Sequence, residues 1–387
     1  MEGIFGGKTD TRTMDTACEH LEYRKKSPDI TTVENAVVLP RKITGNGAVP
    51  VWGTGGVLDE NLDFVDASAY KGDFGEFGGK YRYDEKTMIH SDEEVIYFGV
   101  FLKHWGHFLV DLCSRMWILL KEEFQHMKIV YCAEQHVEMD GNYLEFMERL
   151  GVKKENLVHV LTPVTYSKVI IPEVSYFPNQ WFTKEYMEIF EQVSKDICYE
   201  HNFYYDKVYF TRKNFISAQK KEFGEEGITE AFERNGFEIL SPEQLTLSQQ
   251  LVIWNTAREI VCMNGSIPLN ILFSRNDGKV IVLNKTPKIH ENLLSLQSMM
   301  KKNIFYIDVY LERFANKKVK LGEGPFLLTP AKNLKKYFDK HKYYMPNEPL
   351  FRQSINTLKY LRQYFTRRIK IFLKSVYFLV FDFKRHD

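Results

Sequence analysis

The tightest constraint on how this chain can fold is a change of hydrophobic period between Val95 and Trp117. Val95–Leu102 is apolar and rich in aromatics, as a buried strand is. Lys103, His104 and Trp105 interrupt it. From Gly106 onward Phe108, Leu109, Leu112, Met116 and Leu119 recur at three- and four-residue steps, which is one face of a helix. His107, Asp111 and Arg115, each four residues from the next, share the opposite side. A strand, a short turn and a helix would thus bring an imidazole, a carboxylate and a guanidinium to the carboxyl end of a strand, where open α/β sheets bind ligands. The plain alternative is an ordinary Asp111–Arg115 ion pair with His107 as a capping residue. The closeness of His104 to His107, the tight Trp105-Gly106 lead-in and the buried strand before them favour a site. Imidazoles titrate near neutrality, so a histidine beside a carboxylate is a candidate general base.

Alternation continues on both sides of this pivot. Ala36–Pro40, Lys128–Ala133, Leu157–Leu161 and Lys168–Ile171 read as strands, and Gly45–Tyr81 as short strands and turns. Asn142–Leu150, stopped by Gly151, and Lys184–Tyr199 read as helices. A second unit begins near Tyr205. Strands are expected at Lys207–Thr211, Phe237–Leu240, Glu259–Met263 and Lys279–Leu283. Helices are expected over Glu225–Asn235 and Thr246–Thr256, with a helical turn at Leu269–Phe273. The pattern is that of α/β layers. Arg212-Lys213-Asn214 and Asn264-Gly265-Ser266 each follow a strand, where cations and backbone amides suit a phosphate; plain turn chemistry is the alternative. There is no GxGxxG at a first strand, no P-loop, no GxSxG elbow, no zinc-type His/Cys spacing and no Asp-X-Asp pair to clamp a metal.

The net charge of +1 over 387 residues gives no general field for nucleic acid. The five cysteines are scattered and odd in number, which fits a reducing, cytoplasmic setting, with Cys113 and Cys262 read as buried thiols. The start of the chain has no apolar core of a signal peptide, and no apolar run reaches membrane-spanning length. Residues 351–387 carry nine basic residues against Asp382 and Asp387, and Ile369–Phe383 is apolar and aromatic. This reads as a helix lying on an anionic membrane surface, with a core or dimerisation helix as the alternative.

Seven segments then stand in a telling order: Glu34–Pro40, Gly55–Val65, His104–Trp117, Val208–Asn214, Glu225–Leu240, Pro242–Gln250 and Asn264–Phe273. Together they resemble glycosyltransferase family 61, in its bacterial capsule and exopolysaccharide branch, over roughly Glu34 to Leu283. The resemblance implies an α/β, GT-B-like fold with two Rossmann-like domains facing across a cleft, and a basic amphipathic helix at the C-terminus. The expected division is an arm at 1–30, an acceptor-side domain at 31–204 and a nucleotide-sugar-binding domain at 205–300. A segment at 301–350 would return toward the first domain, and 351–387 would form the membrane-associating tail. The implied activity is inverting, metal-independent transfer of a hexosyl or pentosyl group from a nucleotide sugar to a glycan acceptor, lipid-linked in the expected case, with no resident cofactor. His107 and Asp111 would be catalytic, with His104, Trp105 and Arg115 on the acceptor side. Arg212, Lys213, Asn214, Glu225, Glu226, Asn264, Gly265, Ser266 and Asn270 would hold the donor. Where the family has His-Gly-(Ser/Ala)-Gly, this chain has Asn264-Gly265-Ser266-Ile267, an amide replacing a ring nitrogen. That departure keeps open a catalytically silent, membrane-associated assembly partner. The expected place is the cytoplasmic face of the cell membrane, and a homo-oligomer is left open.

Overall fold

The structure is a computed structural model that describes residues 4–5, 21–43, 50–72, 74–197, 204–314, 321–330 and 332–382. Its first sheet has strands β1 (Ile30–Lys42), β2 (Thr54–Leu58), β3 (Ile89–Val100), β4 (Lys128–Cys132), β5 (Leu157–His159) and β6 (Val164–Pro172), in the order β2-β1-β6-β3-β4-β5. β6, β3, β4 and β5 run parallel, while β1 is antiparallel to both β6 and β2. β3 is longer than its apolar run suggests. Its buried half, Val95–Val100, is the apolar stretch, and its first half is polar, mostly exposed and held by backbone pairing with β6. Backbone hydrogen bonds need no apolar side chain, so periodicity does not reveal such an extension.

The 105–120 segment departs from the two-faced helix expected of it. One α-turn at Trp105–His107 opens into a wide π-turn at Phe108–Leu112 and closes as 3-10 turns at Cys113–Leu120. Every residue from Phe108 to Leu119 is buried. The segment is sandwiched between the first sheet and helix α2 (Lys184–Val193), following α1 (Gly141–Arg149) in the chain. Its polar side chains survive inside because each finds partners, as buried polar groups must. Arg115 is the clearest correction. It donates to the carbonyls of Pro172, Ala67 and Ala69 and so pins β6 and a surface loop, instead of stacking with Asp111.

The second sheet is all parallel: β7 (Lys207–Phe210), β8 (Glu238–Leu240), β9 (Glu259–Met263), β10 (Lys279–Asn284) and β11 (Ile304–Asp308), in the order β8-β7-β9-β10-β11. Between the strands run α3 (Glu225–Glu233), α4 (Leu247–Thr256), a helical turn at Ile267–Phe273, and α5 (Glu291–Met299). Thr246 and Gln249 form a reciprocal capping box at the start of α4. Gly236, at φ +78°, supplies the left-handed turn after α3.

The 301–350 segment does not return to the first sheet. It supplies β11, and helix α6 (Lys332–His341) packs Leu334, Tyr337 and Phe338 into the apolar cluster beneath the second sheet. The described parts of the expected N-terminal arm are paired as well: Ile4–Phe5 runs parallel to β11, and Glu22–Tyr23 pairs with Trp181–Phe182. Edge strands offer unpaired backbone groups to such pieces. Cys113, Cys132 and Cys262 are buried free thiols, while Cys18 and Cys198 lie outside the described residues.

On one side the sheets are joined tightly. A single apolar cluster contains residues of both, and Phe273 packs against Phe146 and Phe190 with ring centres 6.3 and 5.3 Å away. Glu145 of α1 accepts from the backbone N–H groups of Leu247 and Ser248, at 2.8 and 2.7 Å, capping a helix of the other sheet. The final helix, α7 (Leu350–Asp382), has 33 residues and is about 50 Å long. Its first half is docked: Arg352 bonds Glu230 at 2.9 Å, and Tyr360 is buried against Phe314. From Arg368 to Tyr377 it is exposed. Among the described residues no helix is long and apolar enough to cross a membrane.

Candidate functional site

In a parallel sheet of this strand order, ligands bind where the order reverses, beyond the carboxyl ends of the first and third strands. Here those strands are β7 and β9. Their carboxyl ends carry Thr211-Arg212 and Asn264-Gly265-Ser266, and a Cβ placed on Gly265 would lie 3.3 Å from the Arg212 guanidinium. The corresponding edge of the first sheet is the exit of β3, which carries His104–His107. The two edges touch. A Cβ on Gly106 would come within 2.9 Å of Ser266 Oγ, so the absence of a side chain permits this approach. Trp105 spans the junction, its Nε1 donating to Asn270 Oδ1 at 2.7 Å.

From the first sheet comes a buried carboxylate relay. His107 Nδ1 lies 2.7 Å from Asp111 Oδ2, and Tyr70 donates its hydroxyl proton to Asp111 Oδ1 at 2.5 Å. Asp111 is 1% exposed, whereas the His107 side chain keeps 28% of its surface accessible. The imidazole is boxed by Trp52, Phe74 and His104, with ring centres 5.3, 6.3 and 4.6 Å away. Trp52 stacks on Tyr70 at 5.2 Å, and a side chain on Gly75 would overlap the Trp52 indole. The 50–77 region thus folds over Asp111 and fixes the ring orientation of His107.

From the second sheet comes a cationic edge. Glu222 sits between Arg212, at 3.0 Å, and Lys285, at 2.8 Å. Lys285 leaves β10 and is 3% exposed; burial lowers its ammonium to about 8, against the pull of Glu222. Burial would raise the Glu222 carboxyl, but Lys285 and Arg212 outweigh it and hold the group below the ordinary carboxylate range. The two cations are thus held side by side at the strand edge, with the buried Glu225 carboxyl also close to both. His290, the residue before α5, faces both edges. Desolvation, Lys285, His107 and His104 bring its imidazole down to about 4, so it is neutral at pH 7.

Several predicted residues serve the framework instead. Asn270 is 2% exposed and its amide is spent on Trp105 and Gln250. Asn264 is wholly buried and donates to Asn284, which in turn donates to Asp308, so its side chain belongs to a chain of buried amides. The carboxylate of Glu225 accepts from Tyr209, Thr211 and the Arg212 N–H, which locks the exit of β7; burial raises its carboxyl. Asn214 is tied to Ser241 and Gln244 at the surface, and Lys213 is exposed. Glu226 meets Asn356 of α7 at 3.4 Å. Lys285 could have been found in the sequence, because it follows a buried strand as Arg212 does. Tyr70, Trp52, Glu222 and His290 carry no such signal, since only chain folding over long separations brings them in. Among the described residues no cluster of three or more His, Cys, Asp or Glu side chains could hold a metal ion.

The fold and site define an α/β protein that opposes an imidazole–carboxylate pair to a cationic strand edge. Residues 105–281 match the family model Glycosyltransferase 61, from the 105–120 segment into β10. The match spans 177 of the 387 residues, and over that stretch the chain is similar to glycosyltransferase family 61. No curated protein matches the chain.

Proposed function

We propose that the protein is an inverting glycosyltransferase of GT-B-like layout that uses a nucleotide-sugar donor and needs no metal. The observation that carries this reading is the His107–Asp111–Tyr70 relay set against the Arg212–Glu222–Lys285 triad. An Asp111 carboxylate that accepts from Tyr70 and from His107 Nδ1–H leaves Nε2 as the basic nitrogen. Nε2 takes the proton of an acceptor hydroxyl while that oxygen attacks the anomeric carbon. The bond from that carbon to the phosphate oxygen breaks, and the electron pair leaves with the nucleoside diphosphate. Arg212, Lys285 and the Asn264–Ser266 backbone receive the developing charge. The acceptor is a surface glycan of the capsule or exopolysaccharide kind on a lipid carrier. The basic, exposed half of α7 rests on the cytoplasmic face of the membrane.

Thermal melting with a panel of nucleoside diphosphates and nucleotide sugars tests the reading, since a ligand of the folded state raises its stability by mass action. A shift with one base, lost in Arg212→Ala, is expected. No shift with any of them would favour a silent assembly partner. The burial of the Asn264 side chain, whose amide nitrogen donates to Asn284, is the observation on the side of that second reading.

A further inference from the structure

A cavity of about 950 Å³ opens beside the cationic edge, beneath the second half of α7. Lys285 and Thr286 belong to its lining, so the cavity shares Lys285 with the triad described above. Thr286 is 2% exposed, and among the described residues its Oγ1 has no hydrogen-bond partner. An unpaired buried hydroxyl is costly unless a ligand satisfies it. Aromatic rings make much of the wall: Phe314 and Phe326 on one side, Tyr360, Tyr364 and Phe372 of α7 on the other. Two arginines of α7 complete the lining. Arg367 is fastened to Glu323 and the Gly324 carbonyl, while Arg368 is exposed and bonds the Tyr364 hydroxyl at 3.0 Å. Beyond the cavity α7 leaves Leu373 and Val376 open to solvent, with Lys374 between them.

We propose that this cavity holds the phosphate and the first apolar units of a long-chain phosphorylated alcohol. The anionic head lies against Thr286 Oγ1, Lys285 and Arg368, and the chain runs over the aromatic wall and out along the exposed stretch of α7. Three features fit this occupant together. The cations outnumber the one lining carboxylate, Glu323. An apolar chain removes the aromatic wall from water, which free phosphate cannot do. The apolar surface also continues from the cavity onto a helix that carries basic residues, as a membrane-facing helix does. The identity of the lipid as an acceptor carrier rests on the glycosyltransferase reading.

Calorimetric titration of the full chain with farnesyl phosphate, below its micelle concentration, tests the site, with farnesol and inorganic phosphate as controls. Farnesyl phosphate is expected to bind about tenfold or more tightly than either control, because only it offers both halves of the ligand. Thr286→Val, which keeps the side-chain shape, and Arg368→Ala should each weaken it by about tenfold. Arg368→Ala should leave nucleotide-induced melting shifts unchanged. Equal affinity for farnesol, no binding, or binding only to phosphatidylglycerol vesicles would overturn the proposal. A nucleotide shift without farnesyl phosphate binding would remove this site and spare the transferase reading. Farnesyl phosphate binding without any nucleotide shift would do the reverse.

Discussion

The two sheet edges that meet at Gly106 and Ser266 are built on opposite electrostatic plans. The first-sheet edge buries a carboxylate and spends it on orienting one imidazole. The second-sheet edge buries a carboxylate too, but uses it to hold two cations together. A buried carboxylate therefore has no single meaning here. Its partners decide whether it orients an imidazole or holds two cations together. Division of acid–base work from anion binding across a junction suits a reaction in which one substrate loses a proton and the other leaves as a phosphate.

The sharpest way to break this contrast is at the first edge. His107→Ala should lower turnover by about 10³-fold, in the range for loss of a general base. Asp111→Asn should cost nearly as much with the fold intact, because the amide no longer fixes the Nδ1–H tautomer. A steady-state assay with the donor found by melting reads both, and unchanged kcat in either variant would remove the relay from the mechanism. At the second edge, Lys285→Met leaves Glu222 buried with Arg212 alone. Loss of about 3 kcal/mol of stability is expected from denaturant unfolding, with nucleotide binding abolished. Adding Glu222→Gln should recover much of the stability but none of the binding; recovery of both would show that the triad is only structural.

His290 lies between the edges and gives a pH test. Its folded value, about 4, is below the unfolded value near 6.5, so the unfolded chain binds more protons between those limits. Stability should therefore fall as pH drops from 6.5 to 4, by roughly 2 kcal/mol after allowing for partial exposure of the ring. His290→Asn should flatten that part of the profile, and an unchanged slope would place the titration elsewhere. The smallest effect is expected at the contact itself. Gly106→Ala pushes on Ser266 and should cost about tenfold in kcat with about 1 kcal/mol of stability. Ser266→Ala in the same chain should restore part of it, and strict additivity of the two changes would mean that the edges are not coupled there.

Much of the second sheet could be read in advance, because each of its first four strands is a short apolar run bounded by turn residues, and Gly236 and Thr246 mark helix ends in local chemistry. β11 is not legible in this way, since its apolar run stands in a stretch whose helix and strand signals are brief. The 105–120 segment misled more deeply. Its spacing is helical, yet packing on both sides buries the supposed polar face and sends Arg115 inward. The His107–Asp111 contact is legible in the sequence, because a contact four residues apart is local.

By itself, then, the sequence determined the α/β alternation, the strand exits that carry Arg212 and Asn264–Ser266, and the His107–Asp111 pairing, all of which depend on neighbours a few residues away. Only the tertiary structure decided that Tyr70 completes the relay, that Glu222 and Lys285 join Arg212, that His290 faces both edges, and that Asn264, Asn270 and Arg115 are framework. Most of those outcomes join residues tens of positions apart, 165 between Trp105 and Asn270 and as many as 186 between His290 and His104. No local preference encodes them, because chain entropy makes such contacts worth forming only when the whole core closes at once.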